Sequence, residues 1–505
     1  MNYFTSAEIR RIEKELVENL AVSEYLLMEN AGSAAADVIM NRFPEGDILV
    51  LTGPGKNGGD GYVAARHLAV RGRRVEILSA VQAGSLNGIT KKNFRLAVQC
   101  GISVSSSSDF SDEEIAGKIQ KANLLVDSLL GIGSAGPLRG EIARLCFLSK
   151  KAGRIIALDI PTGIDPDTGV ADDNCAGVTM TITMVAPKTG VAAGDGRKLA
   201  GEVIVAGVGF PLPQNAVPRI RSFSPEDGKR FLPLFSEDIH KGMRGGTMVI
   251  GGSTVYRGAP LLSIRSFLRA GGGLGILFSE ETSCAPCSSS LPEAITESGL
   301  FTKNDCGIIG TLSAWSGRID TVVLGPGIGR SERAGEICRL VLSAWEGRLI
   351  LDGDGLYWLS KSGEGIDRGR VLLTPHEGEA AYLLGVSPAD VRKDRISAAR
   401  RIAEKWGPVL LKGFGTLCDD GNQTYLVRAG NRALAVPGSG DVLSGVIAAF
   451  LSAGTPLLES AALGAYVHGM AARSLAASKG LDGILAGEIA DEIPGILMEM
   501  RNRQP

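Results

Sequence analysis

Short apolar runs that pass directly into glycine-rich loops and then into helical patterns constrain this chain more than any other feature. ILVLT (48–52) has the length of a buried parallel strand. It enters GPGKNGGDG (53–61) and then the helical pattern YVAARHLAVRG. The same succession returns in the second half at TMVIGG, STVYRGAP and the helix APLLSIRSFLRAGGG. Strand-like runs ending in polar loops follow at TVVLGPGIGR (321–330), RLILDGDGL (348–356), VLLTPHEGEAAYLL (371–384) and PVLLKGFGT (408–416). Repeated strand–turn–helix units predict an α/β fold with parallel sheets. At 505 residues the chain is too long for one core. PLPQNAVPRIRSFSPEDG (211–228) is Pro-rich and lacks apolar periodicity, so a linker belongs there, and two domains are expected at 1–215 and 225–505. The halves share no fixed-period repeat, which is the pattern of fusion rather than duplication.

Charge narrows the partners. Lys plus Arg (53) nearly balances Asp plus Glu (55), so nucleic acid and acidic membranes are not expected. No apolar run reaches bilayer length, and MNYFTSAEIRRIEKEL reads as a charged helix rather than a signal peptide. Residues 6–40 predict amphipathic helices with Ile9, Ile12 and Leu16 on one face, the second opening at LLMENAG. Eight scattered cysteines point to a reducing cytoplasm. Cys284 and Cys287 form one CxxC without a second pair or nearby His to complete a zinc site.

Polar groups gather at the strand ends, where open parallel sheets bind ligands. Gly53, Gly55 and Gly58 satisfy G-x-G-x-x-G, but the acidic residue such a dinucleotide turn needs is matched only by Glu76, inside the VEIL strand. Asn57, Asp60, Asp127 and Asp159 are expected on one rim, where oxygens can hold a hard cation and loop amides a phosphate. The alternative makes them turn formers and caps. A second rim gathers Asp352, Asp354, His376, Glu377 and Lys412 with the loop VPGSGDVLSG (436–445). That loop presents helix-terminal amides to an anion and places Asp441 as a general base; otherwise Asp441 is a helix cap. The four histidines (67, 240, 376, 468) are too dispersed for a His-rich metal site, and His376 alone reads as structural or capping.

TSAEIRRIE, LLMENAG, GPGKNGGDGYVAARHL, VDSLLGIG and LDIPTGIDPDTG occur in this order in the NAD(P)H-hydrate epimerases, which the first half resembles. Those enzymes interconvert the R and S forms of hydrated NADH and NADPH (NADHX and NADPHX) with a bound potassium ion. The resemblance implies a Rossmann-like three-layer α/β/α sandwich and potassium ligands at Asn57, Asp127 and Thr162. It implies hydrated-dinucleotide positions at Lys56, Asn57, Gly58, Gly59 and Asp60, at Gly131, Ile132, Gly133, Ser134, Ala135, Gly136 and Pro137, and at Asp159, also a catalytic position. Thr162 stands where the family has Ser, and Ile132 where it has Thr.

HKGMRGGTMVIGGS, RGAP, GPGIG, LDGDGL, LLTPHEGE, LLKGFGT and PGSGDVLSG span nearly all of 240–480 and resemble the ADP- or ATP-dependent NAD(P)H-hydrate dehydratases, which are ribokinase-like. The resemblance implies that Ala259, Gly327, His376 and Asp441 meet the hydrated dinucleotide. It assigns nucleotide binding to Lys412, Gly413, Phe414, Gly415, Thr416 and Gly440, with ADP as phosphoryl donor and Mg2+ in attendance. Asp441 is then the catalytic base: it takes the C6 hydroxyl proton as that oxygen attacks the terminal phosphate, and phosphate leaves to restore the nicotinamide. Three departures stand out: Pro437 for Gly ahead of the loop, DGDGL for DADAL, and Glu377 for Pro beside His376, where a negative charge repels a phosphate unless it points away. The partners implied are small molecules and a second copy in a homo-oligomer. Two rivals remain, a ribokinase-like small-molecule kinase and a non-catalytic dinucleotide-binding protein. The latter predicts loss of Asp441, Asp159 or Asn57, and all three are present.

Overall fold

Apolar runs flanked by glycine turns form two parallel sheets in a computed structural model that describes residues 1–133, 136–213, 215–236, 238–362 and 366–502. The chain divides into two compact units, Met1–Arg221 and Ser222–Pro505. No helix among the described residues is long and apolar enough to cross a membrane.

In the first unit the strands are β1 (Ile48–Thr52), β2 (Val75–Ser79), β3 (Ser103–Ser106), β4 (Leu124–Ser128), β5 (Ile155–Leu158), β6 (Met180–Met184) and β7 (Glu202–Ala206). Their order is β3-β2-β1-β4-β5-β6-β7, and the ladders are parallel. Apolar clusters lie on both faces of this sheet, around Val50, Val126 and Ile156 on one side and Leu51, Leu125 and Ala157 on the other. The first unit is therefore a three-layer α/β/α sandwich. Burial on both faces is why the strands read as unbroken apolar runs. The order reverses between β1 and β4, so a crevice opens at their carboxyl ends.

Helix α1 (Ser6–Asn19) starts from a Thr5–Glu8 capping box and buries Ile9, Ile12 and Leu16. A single helix, α2 (Glu24–Arg42), absorbs LLMENAG. Helix α3 (Lys56–Val70) begins inside the glycine loop, six residues before the pattern at Tyr62. Close packing explains the early start, since a Cβ at Gly58 would lie 2.0 Å from the Gly53 carbonyl oxygen. Glycine there allows strand end and helix start to touch, which outweighs its poor helix propensity.

The second unit contains β8 (Gly246–Ile250), β9 (Leu274–Phe278), β10 (Ile295–Glu297), β11 (Thr321–Leu324), β12 (Arg348–Leu351), β13 (Val371–Leu373), β14 (Val409–Leu411), β15 (Thr416–Asp419) and β16 (Thr424–Val427). They run in the order β16-β15-β14-β13-β12-β11-β8-β9-β10. Pairing is parallel from β8 to β14 and antiparallel through β14, β15 and β16. The short turn after Leu411 cannot hold a crossover, so the chain folds back as a hairpin. Helices α4 (Ala259–Arg269), α5 (Glu377–Leu384), α6 (Ser439–Ser452) and α7 (Leu457–Lys479) complete the frame of the site. Helix α6 is buried from Val442 to Ser452 and lies against α4 through small residues. The Ser263 and Ser444 hydroxyls meet at 2.7 Å, and a Cβ on Gly445 would sit 1.9 Å from the Ser263 carbonyl oxygen.

Candidate active sites

At the β1/β4 crevice, Asp127 ends β4 as a fully engaged carboxylate. Its Oδ1 accepts from the Thr162 hydroxyl (2.7 Å) and the Leu129 N–H (3.1 Å), and Oδ2 accepts from the Thr162 N–H (2.9 Å). Burial pushes its pKa up against those hydrogen bonds. The Thr162 hydroxyl also accepts from the Leu130 N–H at 3.1 Å, so Thr serves here as Ser would. Asn57 donates through Nδ2 to the carbonyls of Leu130 (2.8 Å) and Leu158 (3.1 Å). Those bonds leave its Oδ1 buried without a partner. An orphaned buried carbonyl oxygen costs about 1–3 kcal/mol unless a donor or cation meets it. Amide, carboxylate and hydroxyl oxygens from Asn57, Asp127 and Thr162 suit a hard cation.

The adjoining cavity, about 630 Å³, is lined by Glu13, Lys56, Asn57, Asp60, Gly131, Ile132, Gly133 and Asp159. Gly58 and Gly59 are instead buried in the packing of α3, a Cβ at Gly59 falling 2.6 Å from the Met28 methyl. Gly136 and Pro137 are exposed, and Ser134 and Ala135 lie outside the described residues. Asp159 follows β5 with φ of 68°, a left-handed backbone that a non-glycine residue adopts at a cost. Its Oδ1 is ion-paired with Lys188, whose side chain is 1% exposed. Lys188 also donates to the Thr183 hydroxyl (3.0 Å) and the Met184 carbonyl (3.1 Å). Burial, then the charges of Asp159 and Glu13, raise the Asp60 carboxyl well above the usual range. Burial and then Asp159 raise that of Glu13. Neither Lys188 nor Glu13 was singled out from sequence; a lone Lys after a strand and a Glu on a charged helix both look like solvated surface.

In the second unit Asp441 sits in the first turn of α6, behind the N-cap Gly438 with φ of 85°. Burial, then the Asp352 charge, raise its carboxyl to about 7, with Glu379 adding to the rise and Lys412 opposing it. The Lys412 ammonium lies 3.0 Å from Asp352 Oδ1 and 3.7 Å from Glu379 Oε2. Burial alone would lower its pKa, but the charges of Asp352, Glu379 and Asp441 raise it. Thr374 fixes Asp352 by donating to Oδ1 at 2.8 Å. A Cβ on Gly440 would stand 3.2 Å from the Lys412 ammonium. Beneath the loop, Ser439 meets His468 Nε2 at 3.2 Å. His468 is depressed to about 4 by burial and then by Lys412, so it is neutral at pH 7.

Two of the three departures, Pro437 and Glu377, resolve locally. Pro437 precedes the N-cap, so its missing N–H is not one of the first-turn donors of α6. Glu377 turns away from the site: it accepts from Arg395 (2.6 Å) and Arg392 (2.9 Å). The buried Arg395 in turn reaches the carbonyls of Leu411, Lys412 and Gly415 at 3.2–3.4 Å, fixing the turn that carries Lys412. At Gly413 φ is 146°, and a Cβ would come 2.5 Å from that guanidinium. Thr416 donates to the Gly413 carbonyl at 3.3 Å, and Phe414 at the tip is 71% exposed.

A cavity of about 600 Å³ brings Ala259, Gly327 and Asp441 together with Tyr256, Arg330, Asp354 and Glu379. His376 caps α5, its Nδ1 accepting from the N–H groups of Gly378 (2.9 Å) and Glu379 (3.3 Å), with Nε2 3.4 Å from Glu379 Oε1. Asp354 is held by Arg330 and the Gly329 N–H, both at 3.0 Å. Among the described residues no group of three His, Cys, Asp or Glu is placed to hold a metal, and the nearby carboxylates are committed to Lys412 and Arg330. These residues do not build a cage for Mg2+. Cys284 and Cys287 are buried free thiols, both pushed up to about 11 by burial, which disfavours the thiolate that metal or redox work requires.

Family models match both halves, "YjeF-related protein N-terminus" over 24–190 and "NAD(P)H-hydrate dehydratase" over 247–495. A bifunctional NAD(P)H-hydrate repair enzyme of Thermanaerovibrio acidaminovorans is 39% identical over 506 residues, covering 97% of each chain. One from Thermofilum pendens is 34% identical over 98% of this chain and 96% of its own. Among solved structures, the ADP/ATP-dependent NAD(P)H-hydrate dehydratase from Bacillus subtilis, co-crystallized with ATP/Mg2+, aligns with a TM-score of 0.50 and 25% identity, over 57% of this chain and all (100%) of that one. A ribokinase-like superfamily protein from Enterococcus faecalis V583 aligns with a TM-score of 0.52 and 23% identity over 58% of this chain and 100% of its own. That likeness concerns the fold alone and makes the second unit ribokinase-like. Identity above three in ten over nearly the whole of both chains shows that the chain belongs to the bifunctional NAD(P)H-hydrate repair enzymes, an epimerase half followed by a dehydratase half.

Proposed function

We propose that residues 1–215 epimerise hydrated NADH and NADPH at the β1/β4 crevice and that residues 225–505 dehydrate the S form using ADP. The observation that carries the second assignment is Asp441, a carboxyl raised to about 7 at the start of a helix and beside Lys412. A base with that affinity takes the C6 hydroxyl proton near neutral pH while the oxygen attacks the nucleotide's terminal phosphate. First-turn amides at Gly440 and Asp441, with Lys412, hold charge on the transferring phosphoryl. Phosphoryl transfer releases AMP, and phosphate then departs from C6 with its bonding pair as a proton is lost from C5 to solvent, restoring the C5=C6 bond of the dihydronicotinamide. Ala259, Gly327 and His376 border the dinucleotide, and the Lys412–Thr416 turn with Gly440 borders the nucleotide. Mg2+ arrives with the nucleotide phosphates as part of the substrate, as its preference for phosphate and water allows.

In the first unit Lys56–Asp60, Gly131–Pro137 and Asp159 serve the hydrated dinucleotide. Asn57 Oδ1, Asp127 and Thr162 would hold potassium, which when bound supplies fixed positive charge at the crevice. The assay is return of dihydronicotinamide absorbance from an R,S mixture of hydrated NADH given ADP or ATP. Complete recovery is expected with ADP. No recovery with either nucleotide removes the dehydratase reading, and recovery that stops at the S fraction removes the epimerase reading. A phosphorylated dinucleotide accumulating as product would favour the small-molecule kinase.

A further inference from the structure

Three carboxyl groups, Glu13, Asp60 and Asp159, face one cavity in the first unit, yet only Asp159 is tied to a buried cation. Lys188 has no N–H left for a substrate: its three donors go to Asp159, the Thr183 hydroxyl and the Met184 carbonyl. It therefore acts through Asp159. By holding Oδ1 it fixes the orientation of the carboxylate, and together with the left-handed backbone at Asp159 it leaves Oδ2 to the cavity, where a Cβ on Gly131 would approach it to 3.2 Å. Glu13 enters the same cavity from α1, which carries no comparable buried cation. Asp159, Lys188, Lys56 and Glu24 act on it across the cavity. On its own helix, Arg10 is spent on the Ile132 carbonyl at 2.8 Å, and Lys14 pairs with Glu18 at 3.6 Å. Burial and the Asp159 charge together favour the protonated form of Glu13. One carboxyl paired with a buried cation and another without one are the unlike surroundings that divide two carboxyl groups into acid and base.

Resting on the epimerase reading of this unit, we propose that Glu13 is the proton donor and Asp159 the proton acceptor for inversion at C6, and that Lys188 is the positioning residue that keeps Asp159 in that role. Glu13 gives its proton to the C6 hydroxyl; the C6–O bond breaks with its electron pair leaving on water, and the N1 lone pair forms an N1=C6 double bond. A water on the other face loses a proton to Asp159 as its oxygen bonds to C6, and the N1=C6 pair returns to nitrogen. Glu13 ends as carboxylate and Asp159 as acid, and exchange with solvent resets both.

The test uses the full chain without nucleotide, following conversion of R-enriched hydrated NADH to the S form by chromatography. Glu13→Gln is expected to lower kcat about 10²-fold with KM little changed. The wild-type rate should fall as pH rises through the Glu13 titration, and that alkaline limb should vanish in E13Q. Lys188→Met should lower kcat by a similar factor, and Lys188→Arg should recover part of it with the same pH limb. An E13Q enzyme with unchanged kcat, or with the limb intact, overturns the donor. A K188M enzyme that changes only KM, or a K188R enzyme no better than K188M, overturns the positioning role. If K188M does not fold, E13Q and K188R still decide. Wild-type chain that leaves the R form untouched removes the epimerase reading and the proposal with it, whereas failure of the variants against an active wild type removes the proposal alone.

Discussion

The raised carboxyl of Asp441 costs its own unit stability. Its carboxyl rises from the ordinary 3.8 to about 7 on folding, so it stabilises the fold only while protonated. That contribution is full below its unfolded value and is lost as pH rises through about 7. Asp441→Asn should therefore raise the melting temperature most at pH 8 and progressively less as pH falls toward 3.8, and should lower dehydration by ~10²–10⁴. Dehydration by the wild type should climb as pH rises through about 7, because the base must be ionised. His468 carries the opposite sign. Its folded value of about 4 lies below the ordinary 6.5, so its contribution is present above 6.5 and lost as pH falls toward 4. His468→Gln should flatten that acid-side loss in a melting curve. Asp441 was legible from sequence because a glycine loop before an apolar helix announces a helix terminus. His468 was not, because its partner Ser439 lies 29 residues away and nothing local marks the pairing.

Among the elements, the hairpin turn between β14 and β15 is held by a guanidinium from another helix. Glu377→Ala would leave Arg395 buried without its carboxylate, a loss of about 3–5 kcal/mol for a broken buried pair, lessened here because Glu377 is a quarter exposed (25%). The expected result is a lower melting temperature and a KM for ADP raised about tenfold, the equivalent of ~1.4 kcal/mol, with R-to-S conversion unchanged; titration calorimetry with ADP checks the binding part. The sequence suggested repulsion at Glu377 because the resemblance implies a substrate role for its neighbour His376, whereas the acceptor geometry is set by Arg395, 18 residues on. The parallel strands were readable because two-sided burial demands unbroken apolar runs. The start of α3 was not, because glycines there report a close approach of backbones rather than a loop.

Across the whole molecule, two chemistries predict separable failures. With mixed hydrate and ADP, Asp159→Asn should stall recovery near the S fraction, and Asp441→Asn should abolish recovery while R and S still interconvert; chiral chromatography of the remaining hydrate separates the cases. The two-domain α/β architecture was legible throughout, since it rests on repeated local patterns, while the ion pairs that tune each site join distant segments. Strand order also bears on how the chain is made. Met248 of β8 pairs with Ile276 on one side and Val322 on the other, so β8 is an inner strand of its sheet although it precedes both of its neighbours in sequence. During synthesis one edge of β8 stays open until residues 321–324 have emerged, and parallel pairings of such separation form slowly. That bare edge, far in time from either chemistry, is the interval in which translation speed or a chaperone has most influence on the yield of folded protein.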